Sequence, residues 1–234
     1  MIIAKSAGGG HQPKGLAVLY EDRDVIVIDK PAGLLTMGTE RDKSRTAHSI
    51  LNDYVRKGNA KSRNRVYIVH RLDRDTSGIL IFAKSEHAKL YLQENWEETE
   101  KKYLAVVYGR LTPREGIISS YLAENSAYAV YSTSDPARGK LSRTEYITLK
   151  EANGFSLLEI NLLTGRKHQI RVHLSEKGHP IAGDKKYGKE GDSHKWLALH
   201  ARSINFTHPV TGKRLSFATE IPEYFVRLMG NRTN

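Results

Sequence analysis

The chain has 234 residues, 39% of them hydrophobic and 27% charged, and it contains no cysteine. That composition suits a globular protein with ample core, and it excludes disulfides, thiolate chemistry and cysteine-ligated zinc. Thirty-seven Lys and Arg against 26 Asp and Glu leave a formal charge of +11. The surplus fits a polyanionic partner such as nucleic acid, but names no reaction.

No apolar run approaches the ~20 residues that span a bilayer. The N-terminal MIIAKSAGGGHQPKG has neither an apolar signal core nor a cleavage region. A cytoplasmic protein is the expectation. The first fifteen residues are Gly-rich and polar and read as a flexible arm. AGGGH is no phosphate loop, because no Gly-Lys-Ser/Thr follows it and no strand precedes it.

From Leu16 the pattern becomes regular. LAVLYE and VIVID predict two strands around the polar EDRD turn, and in KPAGL the residues Pro31 and Gly33 mark a fixed loop. Residues 46–57, TAHSILNDYVRK, set Ile50, Leu51, Tyr54 and Val55 at helical spacing, with Gly58 as the stop. RKGNAKSRNR (56–65) follows, with five basic residues and no acid. It reads either as a solvated loop or as a grip on phosphates.

VYIV (66–69) and GILIFA (78–83) predict short strands, and EHAKLYLQENWEE (86–98) an amphipathic helix. Further strands are expected at 102–111, 116–123, 128–133, 143–150 and 155–163. WLALHARSINF and RLSFATE flank HPVTGK as a hairpin, and IPEYFVRLM closes the chain as a helix. Strands joined by turns, with a few helices, define an α+β protein with a largely antiparallel sheet. The expected organisation is an arm at 1–15, one domain over 16–229 and a tail at 230–234.

The stretch VHRLDRDTSGILIFAKS (69–85) sets Asp73 between Arg71 and Arg74, with Asp75 beside them, ahead of a Thr-Ser-Gly turn and an apolar strand. One reading is an Asx-type turn with a surface ion pair. The other is a carboxylate nucleophile, which needs charge at neutral pH, a fixed aim and neighbouring cations. A second stretch, LLTGRKHQIRVHLSEKGHPIAGDKKYG (162–188), carries Arg166, Lys167, His168 and Arg171. Its Gly178 and Pro180 stop signals favour a helix, on which His168 and Arg171 share a face with Ser175. Alternation of Ile170, Val172 and Leu174 also fits a strand. Tyr103, after two lysines at the start of a strand, suits either sheet packing or stacking on a base.

Metal binding finds no support here. His168 and His173 are five apart, on different faces of a helix or strand, and no HExxH pattern occurs. The expected cofactor is none.

HRLD followed by TSG, the KKY element, and TGRKHQIRVH followed by GHPIAGDKKYG resemble the RluA-type family of RNA pseudouridine synthases. The order matches as well, with KPAG before them and LHA after them, so the resemblance covers roughly residues 16–227. It implies a mixed, mainly antiparallel sheet in two halves with a central cleft. It implies isomerisation of uridine to pseudouridine in RNA without metal or organic cofactor. The bond from uracil N1 to ribose breaks, the base turns, and C5 is joined to the sugar.

By the same resemblance the catalytic aspartate is Asp73, the active-site tyrosine is Tyr103, and the basic partner of the aspartate is Arg171. Arg71 fills the helix when the target uridine flips out, and Lys30, Pro31 and Gly33 are mostly architectural. Many relatives carry an N-terminal S4-type RNA-binding domain. Here the pattern begins within twenty residues of Met1, which implies an RNA grip by the catalytic domain itself. Lys61, Arg63, Arg65, Arg166, Lys167 and His168 are the candidate backbone contacts. The expected partner is rRNA or tRNA and the expected state a monomer. The competing reading is an inactive RNA-binding module of the same fold.

Overall fold

A computed structural model describes residues 2–3, 12–38, 45–59 and 61–230. Most of the arm, residues 39–44, Ala60 and the last four residues lie outside them. In chain order the elements begin with β1 (Ile2–Ile3), β2 (Ala17–Glu21), β3 (Val25–Lys30), α1 (Ala47–Arg56), β4 (Tyr67–Ile68), β5 (Ser77–Ala83) and α2 (Glu86–Glu94). They continue with β6 (Glu100–Tyr108), β7 (Glu115–Glu124), β8 (Val130–Thr133), β9 (Lys140–Ala152) and β10 (Phe155–Leu162). Last come α3 (Gln169–Glu176), β11 (Leu199–Thr207), β12 (Arg214–Ala218) and α4 (Glu223–Leu228). The chain divides into two compact units: Met1–Glu100 with Ala201–Glu220, and Lys101–His200 with Ile221–Asn234.

In the first unit β3 is antiparallel to both β2 and β5. Its VIVID run and the SGILIFA of β5 are almost wholly buried. A strand covered on both faces reads as a continuous apolar run rather than an alternating one. Val25, Val27, Ile79 and Ile81 form a core with Ala88 and Leu92 of α2 and with Ile204, Phe206 and Phe217 of the returning β11–β12 hairpin. Thr46 and Ser49 close a reciprocal cap on α1, and Ile50, Leu51 and Val55 are its buried stripe. Lys57, in the left-handed region, ends that helix one residue before Gly58.

In the second unit the strand order is β6-β10-β9-β7-β8, antiparallel throughout. β9 runs from 140 to 152, longer than the 143–150 expected, because its polar ends pair with β7 and β10 rather than with core. The 166–174 ambiguity resolves as a helix, α3, whose Ile170, Val172 and Leu174 are buried.

Candidate active-site loops

Asp73 lies half-buried in the loop between β4 and β5. Only β5 is a core strand; β4 is two half-buried residues. The loop's rigidity comes from side chains that seize its backbone. At its start the backbone N–H of Ile81 donates to Nε2 of His70 at 3.1 Å, and the His70 ring lies against Trp96, 4.5 Å between centroids. Just before Asp73, the buried Thr36 hydroxyl donates to the Leu72 carbonyl at 2.9 Å and accepts the Leu72 N–H at 3.2 Å. Just after it, the Arg74 carbonyl accepts from Lys30 Nζ at 3.0 Å and from the Gly33 N–H at 2.9 Å. Thr76 N–H closes the turn onto the Asp73 carbonyl at 3.2 Å. Asp73 is held on both sides.

Lys30 is fully buried, and Nζ also donates to the carbonyls of Pro31 and Leu34 at 3.0 and 2.8 Å. Burial pushes its pKa down to about 8, against the attraction of Asp75, Asp73 and Asp29, which favours the ammonium. The architectural motif therefore also places a buried cation in the field of Asp73. The flanking arginines differ from the expectation. Arg74 pairs with Asp75 at 3.8 Å in solvent, and Arg71 is exposed.

In the second unit Tyr103 is 9% exposed on β6, opposite Ile160 of β10. Arg171 lies on α3 and makes a two-point ion pair with Asp184: Nε to Oδ2 and Nη2 to Oδ1, each 2.8 Å. His168 does not share its helical face. It is the residue before α3, with φ +53°, and its Nδ1 is 2.8 Å from the Tyr187 hydroxyl. Buried Gln169 shapes the turn ahead of the helix: Oε1 accepts from the Arg166 N–H and the Thr164 hydroxyl, and Nε2 donates to the Arg143 carbonyl and Thr144 Oγ1. Arg166 and Lys167 are exposed, with Lys167 paired to Glu124. Lys61, Arg63 and Arg65 are exposed on the other unit, and Arg65 Nε bonds the Tyr67 hydroxyl at 2.8 Å.

His173 is a site that spacing did not reveal. It is 1% exposed and bridges Thr144 Oγ1 (2.9 Å) and Ser120 Oγ (3.0 Å), tying α3 to β9 and β7. Burial pushes its pKa from 6.5 down to about 4. The folded state thus favours neutral imidazole, so its contribution is complete above pH ~6.5 and is lost as pH falls toward ~4. At ~1.4 kcal/mol per unit the loss is about 3 kcal/mol. Urea midpoints measured from pH 7 to 4 should fall more steeply for wild type than for His173→Gln; parallel curves would contradict this.

Among the described residues, Asp22, Asp24 and His208 place ligand atoms within 4.8 Å of one another. They form a hydrogen-bonded knot. Asp22 Oδ1 accepts from the N–H groups of Asp24 and Val25, and Oδ2 bonds the Tyr20 hydroxyl and His208 Nε2. His208 Nδ1 in turn accepts from the N–H groups of Val210 and Thr211. The donor atoms of Asp22 and His208 are engaged within the protein, which does not suit a cation.

The architecture is that of the pseudouridine synthases. It matches the solved human RNA Pseudouridylate Synthase Domain Containing 4 with a TM-score of 0.75 at 23% identity, over 90% of each chain. The family described as RNA pseudouridylate synthase matches residues 24–176, which include Asp73, Tyr103 and Arg171. A Bacillus subtilis (strain 168) protein named "Uncharacterized RNA pseudouridine synthase YlyB" is 35% identical, covering 94% of this chain and 74% of the relative. Ribosomal large subunit pseudouridine synthase C of Rickettsia bellii is 35% identical, covering 90% of this chain and 70% of that one. The chain belongs to the RluA-type RNA pseudouridine synthase family. It is an isomerase acting on RNA.

Proposed function

We propose that the enzyme isomerises one uridine of a structured ribosomal or transfer RNA, with Asp73 as the nucleophile. The clamped Asp73 turn carries this reading: Thr36 and Lys30 hold the backbone on either side of Asp73, which fixes where its carboxylate projects from and lowers the cost of bringing it into line. Tyr103 stacks on the flipped uracil and Arg171 orients the attacking carboxylate. Arg71, exposed beside the loop, fills the gap that the extruded base leaves, since a uracil inside a stem is out of reach.

Attack by Asp73 frees N1 of the base and the base turns; C5 then bonds to the ribose, the bond to Asp73 is released, the C5 proton departs and N1 takes up a proton. Lys61, Arg63, Arg65, Arg166, Lys167 and His168 contribute phosphate contacts around the site. Similarity to a relative named for the large ribosomal subunit supports testing that RNA first. Tritium release from C5-labelled uridine decides the class. Faster release from large-subunit rRNA than from tRNA supports this order, and the reverse overturns it.

A further inference from the structure

We propose that Asp184 is the positioning residue for Arg171, an inference that rests on the role given above to Arg171. The sequence GDKKYG (183–188) is built to hold a carboxylate still. The Asp184 side chain is 1% exposed and the Arg171 side chain 9%. Asp184 Oδ1 accepts the N–H groups of Lys186 and Tyr187 at 2.9 and 3.0 Å while it bonds Nη2 of Arg171. Oδ2 takes Nε. The two-point pair fixes the guanidinium plane and the direction in which its opposite edge faces.

Tyr187 supports the same group from one side, with its ring centroid 5.2 Å from the guanidinium carbon. Its hydroxyl accepts the Val130 N–H at 3.0 Å and lies 2.8 Å from His168 Nδ1, and its carbonyl accepts from Ser175 of α3 at 2.7 Å. The loop backbone is seated with little room. A Cβ on Gly183 would lie 1.9 Å from the Trp196 carbonyl oxygen, and one on Gly188 the same distance from the Asp184 oxygen. Asp192 Oδ2 accepts the Gly183 N–H at 2.6 Å. Hydrogen bonds from Arg171 and the two N–H groups hold the Asp184 carboxyl below its usual range, although burial alone raises it. The carboxylate stays charged and the fork stays paired.

A group that positions Arg171 acts on turnover, and only through Arg171. Tritium release at saturating C5-labelled rRNA or tRNA transcript separates kcat from KM. Asp184→Asn is expected to lower kcat roughly 10- to 100-fold, the range for groups that orient a working side chain, with KM within about twofold. The double variant with Arg171→Lys should fall no further than Arg171→Lys alone. Asp184→Glu keeps the buried charge while displacing the fork by one methylene, and loses kcat with the melting temperature retained. That variant answers the question if Asp184→Asn fails to fold. Full kcat in Asp184→Asn or Asp184→Glu beside an impaired Arg171→Lys, or additive losses in the double variant, would overturn the inference. Full kcat in Arg171→Lys would instead overturn the role given to Arg171, and this inference with it.

Discussion

Asp73→Asn is expected to abolish tritium release, by roughly 10⁴-fold or more, as deletion of a covalent nucleophile does. The amide keeps the shape of the carboxylate, and the contacts that hold the turn engage the backbone of Leu72, Arg74 and Thr76. The loop should therefore keep its form and RNA affinity should stay within about threefold. A second effect has a definite sign. Asp73 is one of the charges favouring the Lys30 ammonium, whose pKa is already down at about 8. Removing it lowers that pKa further, so an increasing share of Lys30 loses its proton near neutral pH. Because burial sets the folded pKa below the unfolded one, charging Lys30 costs folding stability, and stability rises as pH climbs past the folded pKa; in Asp73→Asn that rise begins at a lower pH than in wild type. Retained turnover in Asp73→Asn would end the nucleophile reading, and equal loss of RNA binding would return Asp73 to a structural role.

Gly78→Ala is expected to cost about 3 kcal/mol or more, a severe effect for one methyl group. Gly78 opens the buried part of β5 with φ +111°, where an L side chain is strained. An added Cβ would meet the Ala201 carbonyl oxygen at 2.3 Å and the Ala201 nitrogen at 2.7 Å. Both are backbone atoms that no rotamer change can move. The Gly of the TSG turn is thus a requirement of close strand approach, five residues after Asp73. A urea midpoint within experimental error of wild type would show that β11 can shift away.

Much of this was legible because local rules and tertiary demands agree. VIVID and GILIFA are apolar runs that became doubly covered strands, and the helix expected over 46–57 with its Gly58 stop matches α1 within a residue at each end. Charge reading around Asp73 was less secure, since neighbours in sequence need not be neighbours in space. Arg74 turned to Asp75, whereas the buried cation affecting Asp73 comes from Lys30, forty-three positions earlier. Thr36 gave no signal at all, because a lone threonine becomes a clamp only when Leu72 is brought to it. His168 misled by periodicity: a non-glycine residue in the left-handed region is rare enough that spacing alone does not suggest it. Asp184 and Tyr187 stood inside a recognised stretch, but a two-point ion pair depends on how the loop returns against α3.

The interrupted first unit has a consequence during synthesis. Its last segment, Ala201–Glu220, leaves the ribosome only after the hundred residues 101–200, a delay of roughly 5 to 20 s at ordinary elongation rates. Until then Ile204, Phe206 and Phe217 are missing from its core, and Gly78 has no Ala201 to face. The nascent N-terminal part must wait with apolar strands incompletely covered. The second unit has its Lys101–His200 part made in one stretch and can begin to consolidate earlier, although its own last segment, Ile221–Asn234, emerges later still. The contacts that clamp the Asp73 turn all come from residues before Glu100, so what arrives near the end of translation is the strand that covers β5 at Gly78 and completes the core beneath the turn.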